Sequence, residues 1–519
     1  FLAEYGLSSE EGVLLLCLAE ALLRIPDGGT ADRLIAGTIG SGDWSRHLGH
    51  SDSVLVNAST WGLMLTGHLL DWGDNNSGDL GARVQRLVAR SGESVIREAV
   101  RRAKRILGKQ FVLGETIQGA LDNAVPEMRD GYRFSFDMLG EGARTAEDAD
   151  RYAKRYTDAA SAIAAWAGEP AVRSEEALQT RPGLSVKLSA LHTRYVSSHE
   201  ARLRYELIPR LRDLAMQMRD AWLPLTVDAE EMERLDLSLS MLEPLFADPG
   251  LSGWHGLGLA VQAYSKRALP LISWLTHVAE KTGRRIPVRL VKGAYWDSEI
   301  KWSQEAGLAG YPVFTRKVNT DVAYLAAVRA LLARPDCFYP QFATHNAHTI
   351  AAVADLAGEA PYEFQRLFGM GQGVHGAVVE ELKKPCRIYA PVGGHRDLLA
   401  YLVRRLLENG ANTSFVHRLA DDEAPIAAII ADPVEKAARL PEKANPAIPV
   451  PPDLYGSARR NSLGLPLWDT ATRAPLVDAI TGVLGETATA APIVSSCEIE
   501  TGQMAEIFSP HDGRIAVPE

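Results

Sequence analysis

Eight short apolar runs punctuate the middle of the chain, at 132–138, 184–188, 223–227, 256–262, 286–291, 337–344, 363–368 and 386–390. Each has the length of a strand. Between most of them, apolar residues recur at intervals of three and four, which predicts helices over 200–221, 266–282, 315–333 and 349–357. Near-continuous apolar strands alternating with helices describe a parallel sheet buried on both faces, an α/β fold. Eight such units favour a closed (β/α)8 TIM-like barrel over an open sheet, although the last two are tightly spaced.

The flanks read differently. Residues 1–130 form a helical arm and helical domain, broken by Pro26-Asp-Gly-Gly29 and Gly73-Asp-Asn-Asn-Ser-Gly78. The barrel is assigned to 131–417. From 418 to 519 the chain reads as a linker or arm, with a Pro/Ala-rich stretch at 440–452 and no closed domain pattern.

Composition narrows the function. Of 519 residues, 46% are hydrophobic and 23% charged, an ordinary globular balance. A net charge of −10 argues against general nucleic-acid binding. The predicted helix at 95–107 carries its arginines and lysines on one side, which reads as a solvated face. Four scattered cysteines without a C-x-x-C pair fit a reducing compartment and suggest neither disulfides nor zinc. The apolar run 13–25 is interrupted by Glu20 and Arg24 and is too short to span a bilayer. A soluble, cytoplasmic protein is expected.

Barrel chemistry gathers where strands finish. Those ends carry Asp137 and Glu141, Lys187, Asp228, Gln262, Arg289 with Lys292, Thr344-His345-Asn346, and Tyr389. Alone, each reads better as a satisfied polar group; together at one end of a barrel they read as a site. The segment Arg289-Leu-Val-Lys-Gly-Ala-Tyr-Trp-Asp297 begins as a strand and ends in a basic, glycine-broken, aromatic patch suited to a flat anionic ligand. In the predicted helix 398–408, Tyr401, Arg404, Arg405 and Glu408 form a polar stripe. Periodicity alone makes that stripe a wet face, whereas paired guanidinium groups also suit a carboxylate.

Gly371-Gln-Gly-Val-His-Gly376 matches G-x-G-x-x-G but falls in the seventh unit, so a glycine-rich turn is the better reading. His345 and His348 lack a further histidine pattern. Two rivals stay open: a metal-dependent barrel hydrolase using His345, His348 and Asp228, and a non-catalytic scaffold whose flanks bind partners.

At these residues the chain resembles the proline dehydrogenase module of bacterial bifunctional proline utilization A flavoproteins. The resemblance runs through Ser185-Val-Lys-Leu-Ser-Ala-Leu-His192, Val227-Asp-Ala-Glu-Glu231, Val261-Gln-Ala-Tyr264, residues 289–301, Phe342-Ala-Thr-His-Asn-Ala-His348, Cys386-Arg-Ile-Tyr-Ala-Pro-Val-Gly393 and residues 401–416. It implies a distorted (β/α)8 barrel that binds FAD non-covalently, with the last helix lying over the barrel mouth. It also implies oxidation of L-proline to Δ1-pyrroline-5-carboxylate, by hydride transfer to flavin N5. Arg404 and Arg405 would hold the substrate carboxylate, with Glu141 behind them, and Tyr389 would pack on the pyrrolidine ring. Lys187 and Asp228 would line the mouth beside Tyr295, and Arg289 would sit near N5. The implied cofactor contacts are Asp228, Gln262, Arg289, Val291, Lys292, Gly293, Ala294, Tyr295, Trp296, Thr344, His345, Asn346, Arg405, Glu408, Ser414 and Phe415.

The implied electron acceptor is a membrane quinone, reached by peripheral contact with the inner membrane. No metal is implied. Longer members begin with a ribbon-helix-helix domain that nothing here resembles, so no nucleic-acid partner is expected. An aldehyde dehydrogenase module is expected downstream in a longer chain, foreshadowed by Leu454-Tyr-Gly-Ser-Ala-Arg-Arg460 and residues 507–514. The 371–376 turn is shorter than the family's usual connection.

Overall fold

The computed structural model describes residues 111–394, Tyr401, Arg404, 430–484, 491–499, and positions 502, 507, 508, 510 and 513. The expectations for residues 1–110, including the helix at 95–107, lie outside this set. So do those for Arg405, Glu408, Ser414 and Phe415.

Eight parallel strands close into one barrel: β1 (Arg133–Met138), β2 (Gly183–Val186), β3 (Leu225–Val227), β4 (Leu257–Gln262), β5 (Ile286–Val291), β6 (Phe338–Ala343), β7 (Glu363–Leu367) and β8 (Cys386–Val392). The tight final units close well: β8 pairs with β1 over six residue pairs, from Arg133↔Arg387 to Met138↔Val392. The expected run 184–188 is cut short, because Lys187 caps a helical turn at Leu188–Leu191.

The outer helices Glu200–Asp220, Ala268–Thr282, Lys317–Leu332 and Ala347–Ala357 fall where periodicity puts them. The helix Ala146–Ala167 starts with a capping box between Thr145 and Asp148, which satisfies free amides of its first turn. These helices bury leucines such as Leu203, Leu207, Leu211 and Leu275 against Phe134, Phe136, Leu184, Val288 and Ile388, the outward side chains of the strands.

The inward positions break the usual pattern of branched apolar layers. Arg133, Ser135 and Asp137 of β1 all bond across the barrel rather than to the helices. At the N-terminal end, the fully buried Glu363 accepts from Arg387 Nε at 2.6 Å and from Arg133 at 3.0 Å. Arg387 also donates to the Phe134 and Arg181 carbonyls at 3.0 and 2.9 Å. In mid-barrel, Arg289 reaches Ser135 and Ser185 at 3.1 and 2.9 Å. A spine of polar groups therefore runs up the barrel axis, with every charge paired.

The expected C-terminal arm is docked where it is described. Tyr311 donates to the Pro449 carbonyl at 2.7 Å, and Asn319 to that of Lys443 at 2.7 Å. Gly464 N donates to the Gly307 carbonyl at 2.8 Å. A Cβ on Gly464 would stand 1.9 Å from the Ala306 carbonyl oxygen, so the two backbones meet with no room between them. Trp302 and Trp468 pack edge to face beside this contact. Among the described residues no helix is long and apolar enough to cross a membrane.

Candidate active site at the barrel mouth

Parallel strands bring their C-terminal ends together, and five of the expected residues meet there. Lys187 Nζ, just past β2, lies 2.9 Å from Oδ2 of both Asp137 and Asp228 and 3.1 Å from the Tyr389 hydroxyl. That hydroxyl lies 2.5 Å from Asp137 and 2.8 Å from Asp228. Arg289 donates to the other Asp228 oxygen at 2.6 Å. Two cations, two carboxylates and a phenol thus form one buried, charge-balanced cluster.

The two carboxyls are not equivalent. Burial raises Asp137 above the ordinary carboxylate range; Lys187 offsets this only in part, and Asp228 adds to it. Burial also works against the Asp228 carboxylate, but Lys187 and Arg289 together outweigh it and hold that carboxyl low. Lys187 is as buried, yet the two carboxylates keep it well above its ordinary value. Tyr389 is pushed well up by burial and both acids, so it is a neutral phenol able to donate.

Above the cluster, Arg404 grips Glu141 through both terminal nitrogens at 2.6 and 2.8 Å. Its guanidinium stands over the Tyr295 ring, 5.0 Å from the centroid. Tyr401, one turn earlier, is buried among Phe111, Val112, Leu139 and Met370, against Tyr389. This helix position therefore faces the barrel mouth, and the wet-face reading of Arg404 gives way: its side chain is 15% exposed.

Other expected residues are engaged in holding the rim. Gln262 donates to the Glu230 carbonyl at 2.8 Å. Lys292 pairs with Asp321. Trp296 donates to the Phe314 carbonyl. His345 Nε2 accepts from the Leu367 amide, and Thr344 Oγ1 from the Asn346 amide. Asn346 caps the helix Ala347–Ala357. Val291 passes its carbonyl to the Ala263 amide, and Ala294 is exposed. The glycine-rich turn expected at 371–376 is confined to Gly371, the left-handed N-cap; Gln372–Gly376 already belong to the helix Gln372–Glu380, where His375 is buried against the Thr344 carbonyl at 2.9 Å. Among the described residues no three metal-ligating side chains gather, so the hydrolase rival has no ligand set there.

Ser135 and Ser185, which brace Arg289, were not anticipated. Their signal is the alternation in Arg133-Phe-Ser-Phe-Asp137: polar residues at every second position of an enclosed strand point into the barrel.

The polar groups at the mouth fit a flavin, whose ring carries both donors and acceptors. The Arg289 Nε donor and the Asp137 Oδ1 acceptor are buried without a hydrogen-bond partner. Gly293, at φ +135°, packs directly on the Tyr264 ring: a Cβ would stand 2.5 Å from it, so only glycine fits there.

A closed barrel with this polar mouth defines a (β/α)8 enzyme working at the C-terminal ends of its strands. Residues 120–418 match the family model for proline dehydrogenase, and the chain belongs to that family, as a module of the proline utilization A type. Bifunctional protein PutA of Salmonella typhimurium is 48% identical over 524 residues, covering 98% of this chain and 39% of that protein. Proline dehydrogenase 1 of Bacillus subtilis is 28% identical over 320 residues, covering 60% of this chain and 90% of the relative. A crystal structure of a mutant of Bradyrhizobium japonicum proline utilization A superposes with TM-score 0.70 at 46% identity, covering 94% of this chain and 49% of that one. The chain thus spans well under two thirds of its bifunctional relatives.

One expectation is corrected. Residues 1–111 match a second family model, the DNA-binding domain of proline dehydrogenase. The inference of no nucleic-acid partner, from net acidity and the missing ribbon-helix-helix pattern, is overturned. Net charge averages over the whole chain and does not register a local module.

Proposed function

We propose that this chain oxidises L-proline to Δ1-pyrroline-5-carboxylate, using non-covalently held FAD and passing electrons to a membrane quinone. The observation that carries the reading is the cluster of Lys187, Asp228, Arg289 and Tyr389 lying beneath Arg404 at one barrel mouth. When bound, the flavin supplies the acceptor for the hydride leaving C5 of proline. Residues that would hold it are Arg289, Gln262, Gly293, Lys292 and the turn Thr344-His345-Asn346, with Arg405, Glu408, Ser414 and Phe415 from the segment past the last strand.

The side chains perform the rest. A guanidinium has five N–H donors. Glu141 occupies two of those on Arg404, leaving three for the substrate carboxylate, with Arg405 as its second partner. Glu141 is held below its ordinary value by Arg404 in spite of burial, so the pair stays ionised and pre-oriented. Tyr389, fixed by Lys187 and both acids, packs against the pyrrolidine ring in this reading and excludes larger or hydroxylated analogues. Arg289 places positive charge where negative charge accumulates during transfer. Oxidation needs the neutral amine, so the rate rises toward alkaline pH.

Anaerobic titration with L-proline tests the reading. The flavin absorbance bleaches on addition, and an Arg405→Met variant keeps its yellow colour but needs far more proline. A rate flat from about pH 6 to pH 9 contradicts the chemistry.

A further inference from the structure

The loop after β3 carries Asp228 into the cluster; the helix after β5, Trp296–Glu305, has Tyr295 as its N-cap. One side chain joins the two. Glu299, 3% exposed on the inner face of that helix, accepts the Met232 amide of the β3 loop at 2.7 Å. Met232 opens the 3-10 turn Met232–Arg234, whose first amides need acceptors. Met232 also packs with Tyr264, Ile300 and Val313, so the contact sits in an apolar cluster shielded from water.

We propose that Glu299 is a positioning residue for proline oxidation, setting the separation of Asp228 and Tyr295 across the barrel mouth by holding the Met232 amide. The proposal rests on the reading of this mouth as the proline site. Glu299 touches neither Asp228 nor Tyr295; it acts through the loop on one side and its own helix on the other. With Glu299 3% exposed and 2.7 Å from the Met232 amide, removing its carboxyl group leaves that buried amide without its acceptor.

The same contact responds to pH. The titratable groups facing Glu299 are Glu231 and Glu233 from the β3 loop and Tyr264 from the β4 loop. Burial first, then the charges of Glu231 and Glu233, push its carboxyl up to about 7 against the pull of the Met232 amide. Because the folded value lies above the ordinary one, ionisation works against keeping Glu299 buried beside Glu231 and Glu233, although the amide bond itself favours the ionised form. The packing of the loop around Glu299 is therefore firmest on the acid side and loosens as pH rises through neutrality. Glutamine at this position keeps the accepting oxygen and cannot ionise.

The test compares the parental chain, Glu299→Gln and Glu299→Leu, each loaded with FAD. Two readouts are followed at pH 6.5 and 8.5: steady-state proline oxidation, and deuterium uptake of the peptide spanning 229–236. Glu299→Leu is expected to raise KM for proline about tenfold with a smaller change in kcat, and to speed exchange of the loop by a similar factor. Glu299→Gln restores both. It also removes the extra loosening the parental loop shows at pH 8.5, after correction for intrinsic exchange.

Unchanged KM and unchanged uptake in Glu299→Leu, in a parental chain that oxidises proline, overturn the proposal. If Glu299→Leu does not fold, a Glu299→Gln loop with the parental pH response overturns it equally. A parental chain that does not oxidise proline sinks the functional reading instead, while the exchange data still decide whether the tether exists.

Discussion

The Tyr389 hydroxyl lies 2.5 Å from Asp137 Oδ2, joining β8 to β1 at the seam where the barrel closes. The same hydroxyl reaches Asp228 and receives Lys187. Replacing Tyr389 by Phe keeps the ring and removes this hub. Hydrogen bonds to charged groups contribute about 1.5–3 kcal/mol each. We expect kcat/KM for L-proline to fall at least tenfold in Tyr389→Phe. Tyr389→Ala should in addition narrow the preference for proline over its 4-hydroxy analogue, measured as a ratio of kcat/KM values.

Arg404 is tied to Glu141 through a fork that lysine cannot reproduce. Arg404→Lys is expected to raise KM for proline by one to two orders of magnitude, corresponding to about 1.5–3 kcal/mol. Glu141→Gln should act in the same direction but more weakly, since Arg404 stays in place and loses only its orienting charge. Equal KM values for all three proteins would remove Arg404 from substrate binding.

The two carboxyls flanking Lys187 give opposite pH signs. Asp228 is held below its ordinary value near 3.8, so its contribution to stability is present above that value and is lost as pH falls through the depressed one. Asp137 is raised, so its contribution is present below 3.8 and is lost as pH rises through the raised value. At pH 7, Asp228→Asn should cost about 3–5 kcal/mol, because it leaves Lys187 and Arg289 sharing one carboxylate. Asp137→Asn should cost less than half as much. Denaturant unfolding at neutral pH compares them, and the reverse order would refute this assignment.

At the opposite end of the barrel, Glu363 pairs with both Arg133 and Arg387, far from the chemistry. Glu363→Gln is expected to destabilise the fold by about 3–5 kcal/mol while leaving KM for proline unchanged in the folded fraction. Arg133 and Arg387 lie near the base of the same barrel interior, so a large KM effect would show that the polar spine transmits to the mouth.

The barrel was legible because each strand is buried and each outer helix keeps its period; all eight strands lie within a few residues of their predicted places. The strand ends were legible too, since Lys187, Asp228, Arg289 and Tyr389 stand where apolar runs stop. Arg387, Glu363 and Ser185 escaped notice because a lone polar residue inside a strand looks the same whether it faces solvent or a barrel axis. Which face it occupies depends on closure, and closure joins residues more than 200 positions apart, as Arg133 and Glu363 are. Arg404 illustrates the same limit: local periodicity gave its stripe to water, and only the partner on β1's loop assigns it to the mouth.

The backbone contact between Gly307 and Gly464 leaves room for no side chain on either strand of the crossing. A methyl group at Gly307 would strike the Ser462 carbonyl oxygen, and one at Gly464 that of Ala306, both rigid main-chain atoms. Alanine at either position would therefore prise the terminal segment off the end of the helix Trp296–Glu305, and no change at the other glycine could relieve it.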